Sequence, residues 1–453
     1  MSSDNKLTES RVPNWDAQSS DYDLTPIKRL ATYGRNTFVD GDWIESPYIT
    51  DSGIRLIQTG NIGVGEFIDK GDRYISQDTF EELDCTEVQP GDILISRLAD
   101  PVGRACIAPD LDERMIASVD VVILRTREDI DSEYIVNLLS SEPYLQHADA
   151  LCRGGTMQRL SRSMLGNIRV PIPSYSYQSQ ISNKLEQEKS GIDRLIESLE
   201  DMRETLHERR NQIIQKSITG KIVGAENHSE SSVDWIGKVP EHWDVVRTRF
   251  VAELHSGHTP DRSNDEYWED TNIPWVTTSD IKPFRKGRKR YIHETENQIS
   301  ELGMENSGAH LLPEGTVFLS RTASVGFSGI MGQPMATSQD FANWVCGDEI
   351  TPEYLLYVFR SMDQEFERLM QGSTHQTIYM PDIRSFKTPL PPLEEQREIV
   401  EHIETETEQL WELIDRVDET IDLLEEKRQA LITAAVTGQI DMSKEKGVIQ
   451  GDD

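Results

Sequence analysis

Apolar residues in this chain follow two different rhythms. Between Gln178 and Ser217, Leu185, Ile192, Leu199, Leu206 and Ile213 recur every seven residues, Leu195 and Met202 fill intermediate positions, and no proline interrupts the run. A later stretch repeats the pattern with Ile403, Leu410, Val417, Leu424 and Leu431, plus Leu413. A heptad held this long predicts a coiled-coil seam, because an apolar stripe with a period of about 3.5 residues stays on one face when two helices wind around each other. A helix of about 40 residues is about 60 Å long, so its stripe needs a partner of similar length, and the other copy supplies one. A single core helix inside each domain is the alternative, and it fits unbroken heptads in both stretches less well. Gly220 and Gly438 stand where helix C-caps belong.

Elsewhere the apolar runs are short. Asp92-Ile93-Leu94-Ile95 and Val119-Asp120-Val121-Val122-Ile123-Leu124 are β-branched and bounded by Gly, Pro and Asp, which predicts strands. Tyr134 to Leu139 and Tyr354 to Phe359 read as short helices.

The two rhythms occur twice in the same order. Residue n set beside residue n+218 aligns Pro171-Ile172-Pro173 with Pro389-Leu390-Pro391, Gln178 with Gln396, and Ser217-Ile218-Thr219-Gly220 with Ala435-Val436-Thr437-Gly438. Upstream the match continues with small shifts. Pro90-Gly91-Asp92-Ile93-Leu94-Ile95-Ser96-Arg97 parallels Glu314-Gly315-Thr316-Val317-Phe318-Leu319-Ser320-Arg321, and Arg73-Tyr74-Ile75 parallels Arg290-Tyr291-Ile292. Units this large are two copies of a domain and not a solenoid, whose period is about 20 to 50 residues. The expected fold class is therefore α+β: two tandem mixed α/β domains, each followed by a long helix, with the helices pairing as a coiled coil. The expected boundaries are a polar tail at 1–24, a mixed domain at 25–177, a helix at 178–222, a polar linker at 223–234, a second mixed domain at 235–392, a second helix at 393–442 and a polar tail at 443–453.

Composition narrows the class. The 453 residues carry a formal charge of −34. By itself this argues against nucleic acid, since phosphate binding wants a basic surface, yet net charge governs solubility and long-range fields rather than local patches. An acidic, arginine-favouring surface would also suit a high-salt cytoplasm. No membrane-length apolar run and no signal-peptide pattern is present. Cys85, Cys106, Cys152 and Cys346 are dispersed, which fits a reducing, cytoplasmic location and neither a disulfide framework nor a zinc site. His255 and His258 form an HxxH pair on an expected loop, a weak metal signal.

No catalytic motif holds. Gly220-Lys221 and Gly237-Lys238 lack the rest of a phosphate-binding loop, and Gly63-Val64-Gly65 has no third glycine and no helix after it. The Asn-Pro-Pro-aromatic or Asp-Pro-Pro-aromatic tetrapeptide of amino-methyl transfer and the Gly-x-Ser-x-Gly elbow are absent. Pro381-Asp382 has a Glu-x-Lys partner only at Glu425 and Lys427, too far along the helix to share a metal. The carboxylates from Glu394 to Glu426 read as a solvated face. No catalytic, cofactor or metal residue is expected.

Two segments carry the chemistry of DNA contact. Lys282, Arg285, Lys286, Arg288, Lys289 and Arg290 crowd together, flanked by Phe284 and Tyr291. A solvated face is the plain alternative, but against so acidic a background phosphate contact is the favoured reading. Arg153, Arg159, Arg162 and Arg169 surround Gly154-Gly155-Thr156-Met157-Gln158, and the parallel segment Gln371 to Gln376 offers Ser373, Thr374 and Gln376. Glycines let backbone amides approach a phosphate, and Gln and Arg can pair with base edges; a turn capping the domain core is an equal alternative. Gln58, Asn61, Thr277 and Ser279 are weaker candidates. Arg97 and Arg321, matched in both copies, suit the shared fold better than discrimination.

On these residues the chain resembles the specificity subunits of type I restriction-modification systems, over about Leu24 to Met442. The most specific pieces are the joints Ile168-Arg169-Val170-Pro171-Ile172-Pro173 and Phe386-Lys387-Thr388-Pro389-Leu390-Pro391-Pro392-Leu393-Glu394-Glu395-Gln396, together with the helix ends at Gly220 and Gly438. Trp235-Ile236-Gly237-Lys238-Val239-Pro240-Glu241-His242-Trp243 looks like the entry to a recognition domain. At the first joint Ser174-Tyr175-Ser176-Tyr177-Gln178 replaces the usual Pro-Leu-x-Glu-Gln wording, which leaves the helix start open. The resemblance implies two target-recognition domains, each reading one half of an asymmetric bipartite site on double-stranded DNA. It implies an antiparallel helix pair, paired as a coiled coil, that spaces them and docks two methyltransferase (M) subunits, with restriction (R) subunits joining. S-adenosylmethionine, ATP and Mg would belong to those partners, and no cofactor to this chain. Two rivals stand beside it: an enzyme of another class carrying this module, and a coiled-coil adaptor without nucleic acid, which the −34 charge favours.

Overall fold

The computed structural model describes residues 23–152, 159–284, 287–322, 324–370 and 377–440. It divides into two compact units, one formed by residues 1–198 with 420–453 and the other by 199–419. Each unit joins a mixed domain to a stretch of both long helices.

In the first unit, Phe38–Asp40, Val121–Leu124, Ile93–Ser96 and Ala105–Ile107 form an antiparallel sheet in that order. Ile93–Ser96 and Val121–Leu124 are buried at every position, as expected of strands covered on both faces. A second, five-stranded sheet has Ile54–Ile57 running parallel to Met115–Ala117. Helix Ser132–Leu139, N-capped by Asp131, inserts Tyr134, Ile135, Leu138 and Leu139 into the core. Ile181 and Leu185 of the first long helix enter the same core, and so do Ile432, Ala435 and Val436 of the second.

The second unit repeats this plan. Val317–Ser320 lies between Phe341–Cys346 and Ser328–Met331, and Ala252–Ser256 flanks Phe341–Cys346. Helix Pro352–Arg360, capped by Thr351, stands where Ser132–Leu139 stands in the first unit. Its core takes Ile214 and Ile218 from the first long helix and Ile399 and Ile403 from the second. Each core thus uses opposite ends of the two helices, which requires them to run antiparallel.

The long helices span Tyr175–Ile218 and Leu393–Val436. The first begins before Gln178, and both end before residues 222 and 442, because glycine terminates them. Gly220 has φ +70° and Gly438 φ +76°, conformations that side chains with a Cβ rarely adopt. At the first end the Lys221 amide donates to the Lys216 carbonyl (2.9 Å) and the Gly220 amide to Ser217 (3.1 Å), a Schellman closure. The expected first tail also shortens, since Asp23–Pro26 is a strand paired with Arg169–Ile172. Within 223–234, read as linker, His228–Glu230 pairs with Lys238–Pro240.

The seam departs from expectation in its flanks. Leu185, Ile192, Ile403, Leu410 and Val417 are buried, while Leu199, Leu206, Ile213, Leu424 and Leu431 are half-buried. Leu195, Met202 and Leu413 are exposed and do not fill it. Thr407, Ile414 and Ile421 complete the second stripe instead, four residues after Ile403, Leu410 and Val417. A heptad leaves open which flank of the seam is buried; here it is the one four residues on.

Candidate nucleic-acid interface

Each mixed domain is fixed to its helix by the same buried glutamine. Gln178 accepts the Asp131 amide (2.9 Å) and donates to the carbonyl of Pro173 (2.8 Å) and, at 3.4 Å, to that of Asp129. Gln396 accepts the Thr351 amide (2.9 Å) and donates to the carbonyls of Pro391 (2.9 Å) and Glu349 (2.8 Å). Beside each pin a buried tyrosine, Tyr134 or Tyr354, donates to the carbonyl of Pro171 or Pro389. The prolines supply the acceptors, since they lack a donor of their own and keep the chain extended. The two mixed domains are therefore mounted in the same way, each on an end of a long helix.

The matched strand-end arginines hold loops. Arg97 donates to the Leu160 carbonyl (2.9 Å) and pairs with Asp40, and Arg321 donates to the Gln339 carbonyl (2.9 Å). The Leu160 and Ile378 amides return bonds to the carbonyls of Arg97 and Arg321. These bonds fix the chain just after the two Gly-containing segments. Arg153, Thr156, Gln158, Ser373, Thr374 and Gln376 lie outside the described residues. Arg159 is described, and its guanidinium sits 2.7 Å from Asp120.

The basic segment is anchored and partly neutralised. Phe284 is buried against Phe318, and Arg360 donates to the carbonyls of Gly287 (2.6 Å) and Lys289 (2.7 Å). Burial lowers the Arg360 pKa to about 10, which leaves it charged at neutral pH. Arg288 pairs with Asp415 and with Glu408 (3.1 Å), and Arg290 pairs with Glu404. All three carboxylates lie on the second long helix, so part of its expected solvated face is a docking surface for this segment. Lys282 and Lys289 are exposed, with the Lys289 ammonium 5.4 Å from the centre of the Phe284 ring. Arg285 and Lys286 lie outside the described residues.

The weaker candidates are turn-formers. Asn61 is buried; it accepts the Gln58 amide and donates to the carbonyls of Ile68 and Lys70. Thr277 and Ser279 bond each other, and Thr277 bonds Asp280. His255 lies in a strand and not on a loop, with its Nε2 3.4 Å from Glu253. Among the described residues no cluster of three metal-ligating side chains occurs, and no helix is long and apolar enough to cross a membrane. The four cysteines are unpaired, and burial pushes the thiols of Cys106 and Cys346 up to about 12.

Sequence reasoning missed one feature, the segment Thr32 to Thr37. It bulges from the edge strand of the first unit and carries Tyr33, 97% exposed. The signal was available: the second copy has no counterpart to it between the matched strands.

Comparison with known proteins agrees with this architecture. The profile of the family described as the type I restriction modification DNA specificity domain matches residues 41–201 and 240–433. The type I restriction enzyme MjaIX specificity subunit of Methanocaldococcus jannaschii is 31% identical over 166 residues, 36% of this chain and 38% of that protein. The chain thus aligns with little more than a third of that relative. The type I restriction enzyme EcoKI specificity subunit of Escherichia coli is 21% identical over 88% of this chain and 82% of its own length. A solved structure concerned with complex assembly and conformational transition of the type I R-M system superposes with a TM-score of 0.59 at 18% identity, covering 92% of this chain and 98% of the other, which establishes a shared fold. Two family domains matched in tandem, on a duplicated architecture, show that this chain belongs to the type I restriction modification DNA specificity family.

Proposed function

We propose that this chain is the non-catalytic DNA-reading subunit of a type I restriction-modification complex, binding an asymmetric bipartite target with one mixed domain on each half. The observation that carries this reading is the duplicated mount: Gln178 and Gln396 seat two diverged domains on helix ends in the same way. One chain then presents two reading faces, as a homodimer does on a palindrome, but with faces free to read different sequences. The helix pair acts as spacer and as docking surface for two methyltransferase subunits, and restriction subunits join them. S-adenosylmethionine, ATP and Mg are used by those partners. Lys282 and Lys289 contact phosphate, since Arg288 and Arg290 already have carboxylate partners; phosphate contacts position the protein without reading sequence directly.

Exchanging residues 25–170 for the matching domain of a relative, with methyltransferase subunits present, tests the reading. Mapping of methylated adenines is expected to show one half of the target changed and the other retained. A change in both halves, or in neither, would refute independent reading by the two domains.

A further inference from the structure

In the second unit the edge strand runs without interruption, with Ala252, Glu253 and Leu254 facing Cys346, Val345 and Trp344. In the first unit Ala31 faces Thr126 and Phe38 faces Leu124. The ladders correspond, since Ile93 faces Leu124 as Val317 faces Trp344. Six residues, Thr32 to Thr37, therefore stand where the second copy has Glu253 alone. Both ends close on one residue: the Thr32 amide donates to the Arg125 carbonyl (2.8 Å) and the Arg125 amide to the Thr37 carbonyl (2.9 Å). Tyr33-Gly34-Arg35-Asn36 is thus pushed out of the sheet edge as a closed excursion. Gly34 at φ +146° and Asn36 at φ +57° make the turn, in conformations that glycine and asparagine tolerate best.

We propose that this bulge is a DNA contact of the first recognition domain, with Arg35 on a backbone phosphate and the Tyr33 ring against sugars and base edges in a groove. The inference rests on the DNA-reading function proposed above. Three observations carry it. The Tyr33 ring is 97% exposed at the tip of a segment tied at both ends, so no packing within the unit accounts for it. From Ile27 to Val39 the chain holds Lys28, Arg29 and Arg35 and no carboxylate, in a protein of charge −34. Arg29 and Arg35 are exposed and, among the described residues, have no ion-pair partner, unlike Arg288 and Arg290. The second copy puts a carboxylate, Glu253, at the same place, so the contact belongs to the first half of the target only. An exposed cation beside an exposed aromatic ring suits nucleic acid, which presents phosphates outside and flat, partly apolar edges within.

The test uses the full chain assembled with methyltransferase subunits, and two duplexes: one carrying the methylated motif of the wild type and one of random sequence. Arg35→Ala is expected to weaken both alike and to lower the salt slope by about 0.9. Tyr33→Ala is expected to lower affinity about tenfold, as for loss of the apolar burial of one aromatic side chain, while Tyr33→Phe keeps most of the binding. Thermal unfolding of the variants should match the wild type, because both side chains are exposed. Wild-type affinity in the double variant Tyr33→Ala/Arg35→Ala would overturn the bulge as a contact while leaving the proposed function standing. Loss of methyltransferase subunits with DNA binding intact would also overturn it, and would reassign the bulge to a protein surface. A wild-type complex that binds neither duplex would remove the proposed function and this contact together.

Discussion

Gln396 offers the sharpest test of how a reader is mounted. Its side chain is fully buried and makes three hydrogen bonds, accepting from Thr351 and donating to Pro391 and Glu349. Gln396→Ala leaves all three partners unmatched. The Pro391 bond is buried, and its loss costs about 1–3 kcal/mol. The other two are partly accessible, so water recovers some of their worth, at about 0.5–1.5 kcal/mol each. The expected destabilisation is about 2–6 kcal/mol. Gln396→Glu separates the roles: a carboxylate still accepts from Thr351 but sets a negative charge against two carbonyl oxygens. Its folded pKa must rise above the unfolded value, so the variant should be no better than alanine at neutral pH and should regain stability as pH falls through that raised pKa. The assay is urea unfolding followed by tryptophan fluorescence. Six of the eight tryptophans (Trp235, Trp243, Trp268, Trp275, Trp344 and Trp411) lie in the second unit, so the signal reports the unit that holds Gln396. Gln178→Ala should move the same signal little, because its partners lie in the first unit. A loss below about 1 kcal/mol for Gln396→Ala, the worth of one ordinary hydrogen bond, would refute the pin.

Gly220→Ala should destabilise by at least about 1 kcal/mol in urea unfolding, since φ is +70° and an added Cβ would lie 2.4 Å from Pro240 Cδ. Gly191→Ala, in the exposed middle of the first helix with open space around it, should stabilise by about 0.5–1 kcal/mol. Asp415→Asn together with Glu408→Gln should raise affinity for random duplex and steepen its salt dependence by releasing Arg288 from both carboxylates; unchanged affinity would show that Arg288 does not reach DNA. Inserting one heptad after Ser198 and another after Glu419 keeps the seam in register and lengthens each helix by about 10 Å. If the helices set the spacing, the methylated motif should gain about three unread base pairs, and an unchanged motif would refute the ruler.

Much of this protein was legible in the linear sequence. The duplication, the heptads, the paired glutamines Gln178 and Gln396, and the glycine stops at Gly220 and Gly438 are local or periodic signals, and each corresponds to a feature of the fold. What periodicity leaves open is phase. Leu413 and Ile414 sit equally well beside the Leu410 stripe in sequence, and only the folded chain decides that Ile414 is buried and Leu413 exposed. Charge is undecided in the same way. Arg288 and Arg290 read as free cations until the fold brings Glu408, Asp415 and Glu404 to them across more than a hundred residues of chain. Tyr33 and Arg35 show the converse: the carboxylate-free run from Ile27 to Val39 sets them apart in sequence, but their exposure follows from a strand pairing that closes both ends of the bulge on Arg125. Local sequence therefore determined the elements and their repetition, because backbone preference and burial period act over a few residues. Which side chains remain available to DNA was decided by tertiary structure, because an ion pair or an exposed ring depends on what the rest of the chain places beside it.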